Sequence, residues 1–355
     1  MNILSTSSFG SPASPTTFSA TSMHCVNIPH RILSLQTFQY LGFLPNVSKY
    51  LFGKLEHRRI EIEQEVDMLE YVQSYIRYKC EGIDDTSDDW EKALDNVGIH
   101  GRMRSALLDP KHAQIRGIQS MSHWLCEMLE TNYDALVGLD DTILSKIDTA
   151  YPSLRAGRFN SDYTVPATPG DHINIFKPVS LTRAKQVIAE DGPIDLAPLL
   201  SYPPTDFAHR GGLYFTHQMW VAAHYSRLLS DACPICDRRT IEIAVPLDHL
   251  TKEDMLTLDF SDPWKELIFY SRRDQTYPRD LVCLRREYNI IHGPIAYNAD
   301  IAFAKMKDPS AIQKKHLLWE EAKLQTRNYG KQHVWLTEEP VNRLSEVVKG
   351  KIWIR

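Results

Sequence analysis

The stretch RGGLYFTHQMWVAAHYSRLL, residues 210–229, combines side chains whose types and spacing can support chemistry. Gly211 and Gly212 precede the aromatic ring of Tyr214 and the hydroxyl of Thr216, and an amphipathic helical pattern follows at once. Glycine weakens a strand unless another group approaches the backbone closely. The pattern therefore predicts a ligand-binding site at the turn between a strand and a helix. Two structural alternatives remain open: Tyr214 as a core aromatic and Thr216 as a helix N-cap.

The sequence CPIC, from Cys233 to Cys236, is a second candidate because C-x-x-C forms half of many zinc sites. No other C-x-x-C occurs, and the histidines nearby do not follow it at zinc-finger spacing. The sequence favours a tight polar turn with two incidental thiols over a metal or redox site.

His292, before a Gly-Pro pair, fits a structural or a catalytic role. No metal site is predicted.

Composition and missing motifs exclude several classes of function. The 355 residues include 40 Lys and Arg against 45 Asp and Glu, a net charge of -5. This balance provides no broad basic field for a phosphate backbone, so nucleic acid is not an expected partner. The P-loop, G-x-G-x-x-G, G-x-S-x-G and H-E-x-x-H patterns are absent. Nothing therefore indicates a kinase, Rossmann dehydrogenase, serine hydrolase or zinc protease.

Cysteine usage and hydropathy bear on location. Six scattered cysteines fit a reducing compartment better than a disulfide scaffold. No apolar run approaches the ~18 residues that a membrane crossing needs. We therefore expect a soluble protein of the cytoplasm or nucleus with no membrane partner. The start of the chain is rich in Ser and Thr, which favours a disordered tail over a transit peptide.

Changes in composition and hydrophobic pattern along the chain predict the domain organisation. Residues 1–50 read as a low-complexity, disordered tail. Residues 51–155 carry apolar residues at helical spacing, including Ile60, and read as a helical domain. Proline, glycine and small polar residues mark a linker at 156–171. Residues 172–355 form the remaining domain.

The last domain alternates short strand patterns with helical ones. LTRAKQVIAE and HQMWVAAHYSRLL have helical spacing. Because the strands are short and the order is mixed, an α+β fold with largely antiparallel sheets is expected. The strand candidates are HINIFKPV, GGLYFT, RTIEIAVPL, KELIFYS, YNIIHGPIA, QHVWLT and GKIWI.

Three ordered segments of this domain resemble ADP-ribosyltransferase-like proteins, closest to a small fungal and microbial group. GGLYFTHQMWVAAHYS is similar to the middle motif of that group, YNIIHGPIAYNAD to a later segment, and YGKQHVWLTEEPVNRL to its closing segment. The likeness covers His172 to Leu344 and does not extend into the N-terminal helices. It implies two small, largely antiparallel sheets around a cleft that holds NAD as substrate.

The resemblance also implies roles for individual residues. Lys177, where the family has His, would hold a ribose or phosphate oxygen of NAD. Tyr214 would stack on the nicotinamide, and Gln332, where many relatives have Glu, would position a ribose hydroxyl. The residues implied to bind the cofactor are Gly211, Gly212, Thr216, Phe176 and His209.

The implied reaction breaks the glycosidic bond to nicotinamide, which builds positive charge on the ribose. A nearby amide or carboxylate oxygen stabilises this charge, and an aromatic face attracts the flat pyridinium. The resemblance thus implies transfer of ADP-ribose to a macromolecule, or hydrolysis of NAD. The alternative is an inactive fold of the same family that acts as a protein-interaction module. In either case the N-terminal helices would orient a partner or shield the cleft.

Overall fold

A computed structural model of the chain describes residues 28–29, 31–61, 66–83, 90–148, 170–187, 194–201, 205–208, 211–233, 235–236, 238–273, 275–298, 300–320 and 328–355. Most of the predicted tail, nearly all of the predicted linker and His209 lie outside these residues. Among the helices of the described ranges, none has both the length and the apolar character that a membrane crossing requires.

The N-terminal part of the chain is helical, as expected. Asp67 begins the third helix by accepting a hydrogen bond from the backbone N–H of Glu70 over 2.8 Å. The helices are α1 (Leu35–Tyr40), α2 (Pro45–Glu61), α3 (Met68–Cys80), α4 (Trp90–Val97), α5 (Gly101–Leu108), α6 (Ala113–Arg116) and α7 (Met121–Asp148).

Two expectations about this region were wrong. Residues 35–50, predicted as tail, form α1 and the start of α2, because Phe38, Leu41 and Phe43 are fully buried in the helical core. Ile60, predicted to lie on the apolar side of a helix, is 71% exposed because it lies off the face of α2 that buries Leu51 and Leu55.

Two small sheets form the C-terminal part, which confirms the α+β prediction. A three-stranded antiparallel sheet has the order β1-β4-β8, and a five-stranded sheet has the order β2-β3-β7-β6-β5. Only the β5–β6 pairing is parallel among the described strands. The strands are β1 (His172–Ser180), β2 (Leu200–Ser201), β3 (Gly212–Phe215), β4 (Arg238–Pro246), β5 (Met255–Thr257), β6 (Ile290–Pro294), β7 (Lys331–Trp335) and β8 (Ile352–Ile354).

Helices cover these sheets, and one of them corrects a predicted strand. KELIFYS belongs to α11, since Pro263 is favoured in a first helical turn and Trp264, Leu267 and Ile268 are buried at helical spacing. The helices are α8 (Leu181–Val187), α9 (Met219–Ala232), α10 (Leu247–Lys252), α11 (Asp262–Ser271), α12 (Arg279–Glu287), α13 (Asp300–Ala304) and α14 (Glu338–Val347).

The N-terminal helices share their core with the C-terminal part. Buried residues of α9, including Val221, Leu228 and Leu229, belong to the same apolar cluster as Leu107 and Leu125. Two further clusters lie on the two faces of the five-stranded sheet. The helical region is therefore packed against the sheets through α9.

The segment around CPIC follows α9. Cys236 donates a backbone hydrogen bond to the carbonyl of Cys233 over 3.3 Å, and the Cys233 thiol lies 3.5 Å from the carbonyl oxygen of Met128. Burial raises the pKa of Cys233 to about 12. This thiol is therefore protonated at neutral pH and serves packing.

Candidate functional site

The strands that carry the predicted site meet where the two sheets touch. In the five-stranded sheet, Tyr214 of β3 lies opposite Val334 of β7. Strand β1 belongs to the other sheet, yet Phe176 N–H donates to the carbonyl of Thr216 over 2.6 Å and Thr216 N–H donates back over 3.1 Å. Three segments that are distant in sequence therefore approach one another.

Lys177 extends from β1 toward β3. Its Nζ donates to the hydroxyl of Ser201 over 3.2 Å and to the backbone carbonyl of Tyr214 over 3.3 Å. Burial lowers the pKa of Lys177 to about 8, and the carboxylate of Glu127 only partly opposes this effect. Lys177 is therefore a cation that loses its proton far more readily than an exposed lysine.

Helix α7 contributes charged groups to the surroundings of Lys177. Burial acts to raise the pKa of Glu127, but the cations around it, led by Arg183, lower the pKa overall. Glu127 is therefore ionised and balances those cations. Burial lowers the pKa of His123, on the same helix, to about 4, so this imidazole is neutral at pH 7. Arg183 also bonds to Glu130, which fastens α8 to α7.

The side chain of Tyr214 is held by the loop before β3. Its hydroxyl accepts backbone hydrogen bonds from Phe207, over 3.2 Å, and Ala208, over 3.0 Å. Burial raises its pKa, so the phenol stays neutral at any physiological pH. The ring packs beside the apolar cluster that includes Phe207 and Val334. Tyr214 is thus a half-buried core aromatic whose hydroxyl is hydrogen-bonded to the backbone.

Gln332 belongs to a buried polar network. The side chain is 7% exposed, and its Nε2 donates to Asp206 Oδ2 over 2.6 Å. The same carboxylate accepts from Arg272 Nε over 2.7 Å and from the backbone of Ala296 over 2.9 Å. Arg272 Nη1 reaches Gln119 of the N-terminal region over 2.8 Å. The sequence contained no signal for this network because its members are far apart in the chain.

The glycine pair and Thr216 have structural roles in the fold. Gly211 has a φ of +116°, which favours glycine. A Cβ on Gly212 would lie 2.9 Å from the Cβ of Ala208 and 3.1 Å from the carbonyl oxygen of Trp335, so the close approach is made by the protein's own chain. The Thr216 hydroxyl donates to the carbonyl of Lys331 over 2.8 Å and accepts from the N–H of Gln218 over 3.0 Å. It orders the turn before α9, whose N-cap is Gln218.

Three histidines form a second candidate site on the opposite face of the five-stranded sheet. His292 of β6 lies opposite His333 of β7, and their rings stack with centroids 4.3 Å apart. His217, just after β3, lies 5.4 Å from the His333 ring and 5.6 Å from the His292 ring. One ring nitrogen of each lies within 4.8 Å of the others. Because side chains alternate along β7, His333 and Gln332 point to opposite faces.

Burial controls the charge of this histidine cluster. It lowers the pKa of His333 well below 6.5 and that of His292 to about 4, and both shifts are increased by His217 and Lys331. Three buried ring nitrogens, His217 Nδ1, His292 Nε2 and His333 Nδ1, have no hydrogen-bond partner among the described residues. Neutral imidazoles with unpartnered nitrogens can ligate a metal ion. Sequence spacing did not reveal them, since each histidine comes from a different segment.

Comparison with known proteins adds no relative. No protein-family model, no curated protein and no solved structure matches the chain.

Proposed function

We propose that this chain is an NAD-binding protein of the ADP-ribosyltransferase-like type, with its site at the junction of the two sheets. The backbone bridge between Phe176 and Thr216 is the observation that carries the proposal. It joins β1, which carries Lys177, to β3. Strand β3 pairs with β7, and β7 pairs with β6, so the three segments of the resemblance are neighbours. A chance likeness of three short motifs would not require them to be adjacent.

The side chains at this junction suit parts of NAD. Lys177 offers an ammonium group to the pyrophosphate, as a point charge. The Nε2 of Gln332 donates to Asp206, which orients the side chain. The amide oxygen of Gln332 is therefore the atom that would accept a hydrogen bond from a ribose hydroxyl. The ring of Tyr214 would provide a face for the nicotinamide.

The proposed reaction breaks the bond between the ribose carbon and the nicotinamide nitrogen. Nicotinamide leaves with the bonding electrons, and a nucleophilic oxygen or nitrogen of a protein acceptor, or of water, forms the new bond to the ribose. The acceptor loses one proton. Positive charge that develops on the sugar is stabilised by the oxygen of Gln332.

The second candidate is an inactive fold of this type that binds a protein partner. It is favoured because both key side chains already form hydrogen bonds within the protein. The Tyr214 hydroxyl accepts from the Phe207 and Ala208 amides. Gln332 donates to Asp206. In this alternative these residues only stabilise the core.

Calorimetric titration of the intact protein with NAD separates the two candidates. The first predicts saturable binding at micromolar NAD and release of nicotinamide, which chromatography detects. Lys177→Met should weaken binding by about tenfold or more, which is 1.4 kcal/mol. Lys252→Met is the matched control, because Lys252 is exposed and pairs only with Asp248 among the described residues. Absence of binding at millimolar NAD would support the interaction module instead.

A further inference from the structure

We propose that His217, His292 and His333 bind one divalent transition-metal ion of the zinc class. The site lies on the face of the five-stranded sheet opposite to Gln332 and Tyr214. It is independent of NAD binding, so either proposal can fail without the other.

The distances fit a single ion. With zinc-to-nitrogen bonds of about 2.0–2.1 Å, two nitrogen ligands of a tetrahedral ion lie roughly 3.3–3.4 Å apart. The three ring nitrogens lie within 4.8 Å of one another, so small rotations of the rings bring all three into range. His292 and His333 are fixed on adjacent central strands, which preorganises two of the ligands.

Unsatisfied hydrogen-bonding atoms in the histidine cluster also point to a ligand. Buried polar atoms in folded proteins nearly always have a partner. Here His217 Nδ1, His292 Nε2 and His333 Nδ1 are buried and lack a partner within the part of the chain that the structure describes. A bound ion would satisfy these nitrogens. His217 and His292 are half-buried, so solvent and an ion can reach the cluster from their side.

The donor set selects the class of ion. Three imidazoles suit zinc, copper or nickel, whereas magnesium and calcium prefer oxygen ligands. Three protein ligands leave the fourth tetrahedral position to water. The positive charge of Lys331 acts on all three histidines and opposes the binding of a cation. Its Nζ lies 3.7 Å from the carboxylate of Asp259, which offsets that charge.

The test uses intact protein that has been freed of metal by a chelator and dialysed. Titration with Co²⁺, followed by visible absorption, should saturate at one ion per chain with the strong bands of four-coordinate cobalt. Zn²⁺ should then displace the cobalt and abolish these bands. Zinc should also raise the unfolding temperature, because it binds only the folded chain tightly.

Variants identify the ligands. Loss of an outer-shell partner costs roughly 10–100-fold in metal affinity, so His217→Ala and His292→Ala should each weaken binding by at least about 100-fold. Both side chains are half-buried, and circular dichroism checks that each variant is folded. His57→Ala, at an exposed position of α2, is the control and should bind as the wild type does.

Two results would overturn the proposal. The first is wild-type protein that takes up no stoichiometric cobalt or zinc. The second is folded His217→Ala and His292→Ala protein that binds the ion as tightly as His57→Ala, which would mean adventitious binding elsewhere.

Discussion

Gln332 donates a hydrogen bond to the carboxylate of Asp206 over 2.6 Å, although 126 residues separate the two in the sequence. Both side chains are buried, and Arg272 holds the same carboxylate. A carboxylate only accepts hydrogen bonds, whereas an amide can donate one. Glutamine at position 332 therefore satisfies a buried anion that glutamate would repel, which gives a physical reason for the amide at this position.

Gln332→Glu should lower the free energy of unfolding by about 3 kcal/mol or more, because it buries a second carboxylate beside Asp206. Urea unfolding at pH 7 measures the change. Adding Asp206→Asn should recover part of the loss, since the two substitutions share one network. Gln39→Glu, on an exposed position, is the control and should stay within about 0.5 kcal/mol. Equal stability of Gln332→Glu and the control would contradict this account.

Arg272→Met should destabilise the protein by about 3–5 kcal/mol, because it leaves the buried carboxylate of Asp206 without its cation. The exposed pair of Arg59 and Glu56 provides the comparison. Arg59→Met should cost no more than about 1 kcal/mol. Chemical denaturation of both variants tests the difference, and similar losses would show that the buried network contributes little.

Local patterns in the sequence were sufficient to predict much of the fold. Alternating apolar residues bounded by glycine and proline identified β1, β3, β6 and β7. The same reasoning failed for KELIFYS, a short apolar run that fits a strand or a buried helix equally well. Pro263 and the spacing of Trp264 and Leu267 favour the helix that forms.

The arrangement of the candidate sites could be predicted only in part. The resemblance assigned Lys177, Tyr214 and Gln332 to strands that do meet. The partners of these side chains could not be predicted, because hydrogen bonds such as that between Gln332 and Asp206 depend on tertiary packing. The histidine cluster was missed for the same reason: its members are adjacent only after β3, β6 and β7 assemble.

Leu228→Ala should lower stability across the whole chain by about 2–5 kcal/mol, because Leu228 on α9 is fully buried in the core shared with the N-terminal helices. Hydrogen exchange followed by mass spectrometry should show reduced protection in both α5 and β3. Met219→Ala, on the same helix but 40% exposed, should change protection far less. Reduced protection confined to residues after 170 would mean that the two parts unfold independently.

Lys177 predicts a specific dependence of stability on pH. Burial lowers its pKa from 10.5 to about 8 in the folded protein. Below pH 8 both the folded and the unfolded chain carry the proton, so the cost of burying the charge is present in full. Between about pH 8 and 10.5 the unfolded chain keeps a proton that the folded chain has lost, so this residue's contribution to stability rises with pH.

Comparison with Lys177→Met isolates this effect, because all other titrating groups are common to both proteins. The free energy of unfolding of the wild type, minus that of the variant, should increase as the pH is raised from 8 to 10.5. Urea denaturation at a series of pH values measures the difference. Lys252→Met, at an exposed site, should show no such slope relative to the wild type. A flat difference for Lys177→Met would mean that Lys177 keeps the pKa of an ordinary lysine in the folded protein.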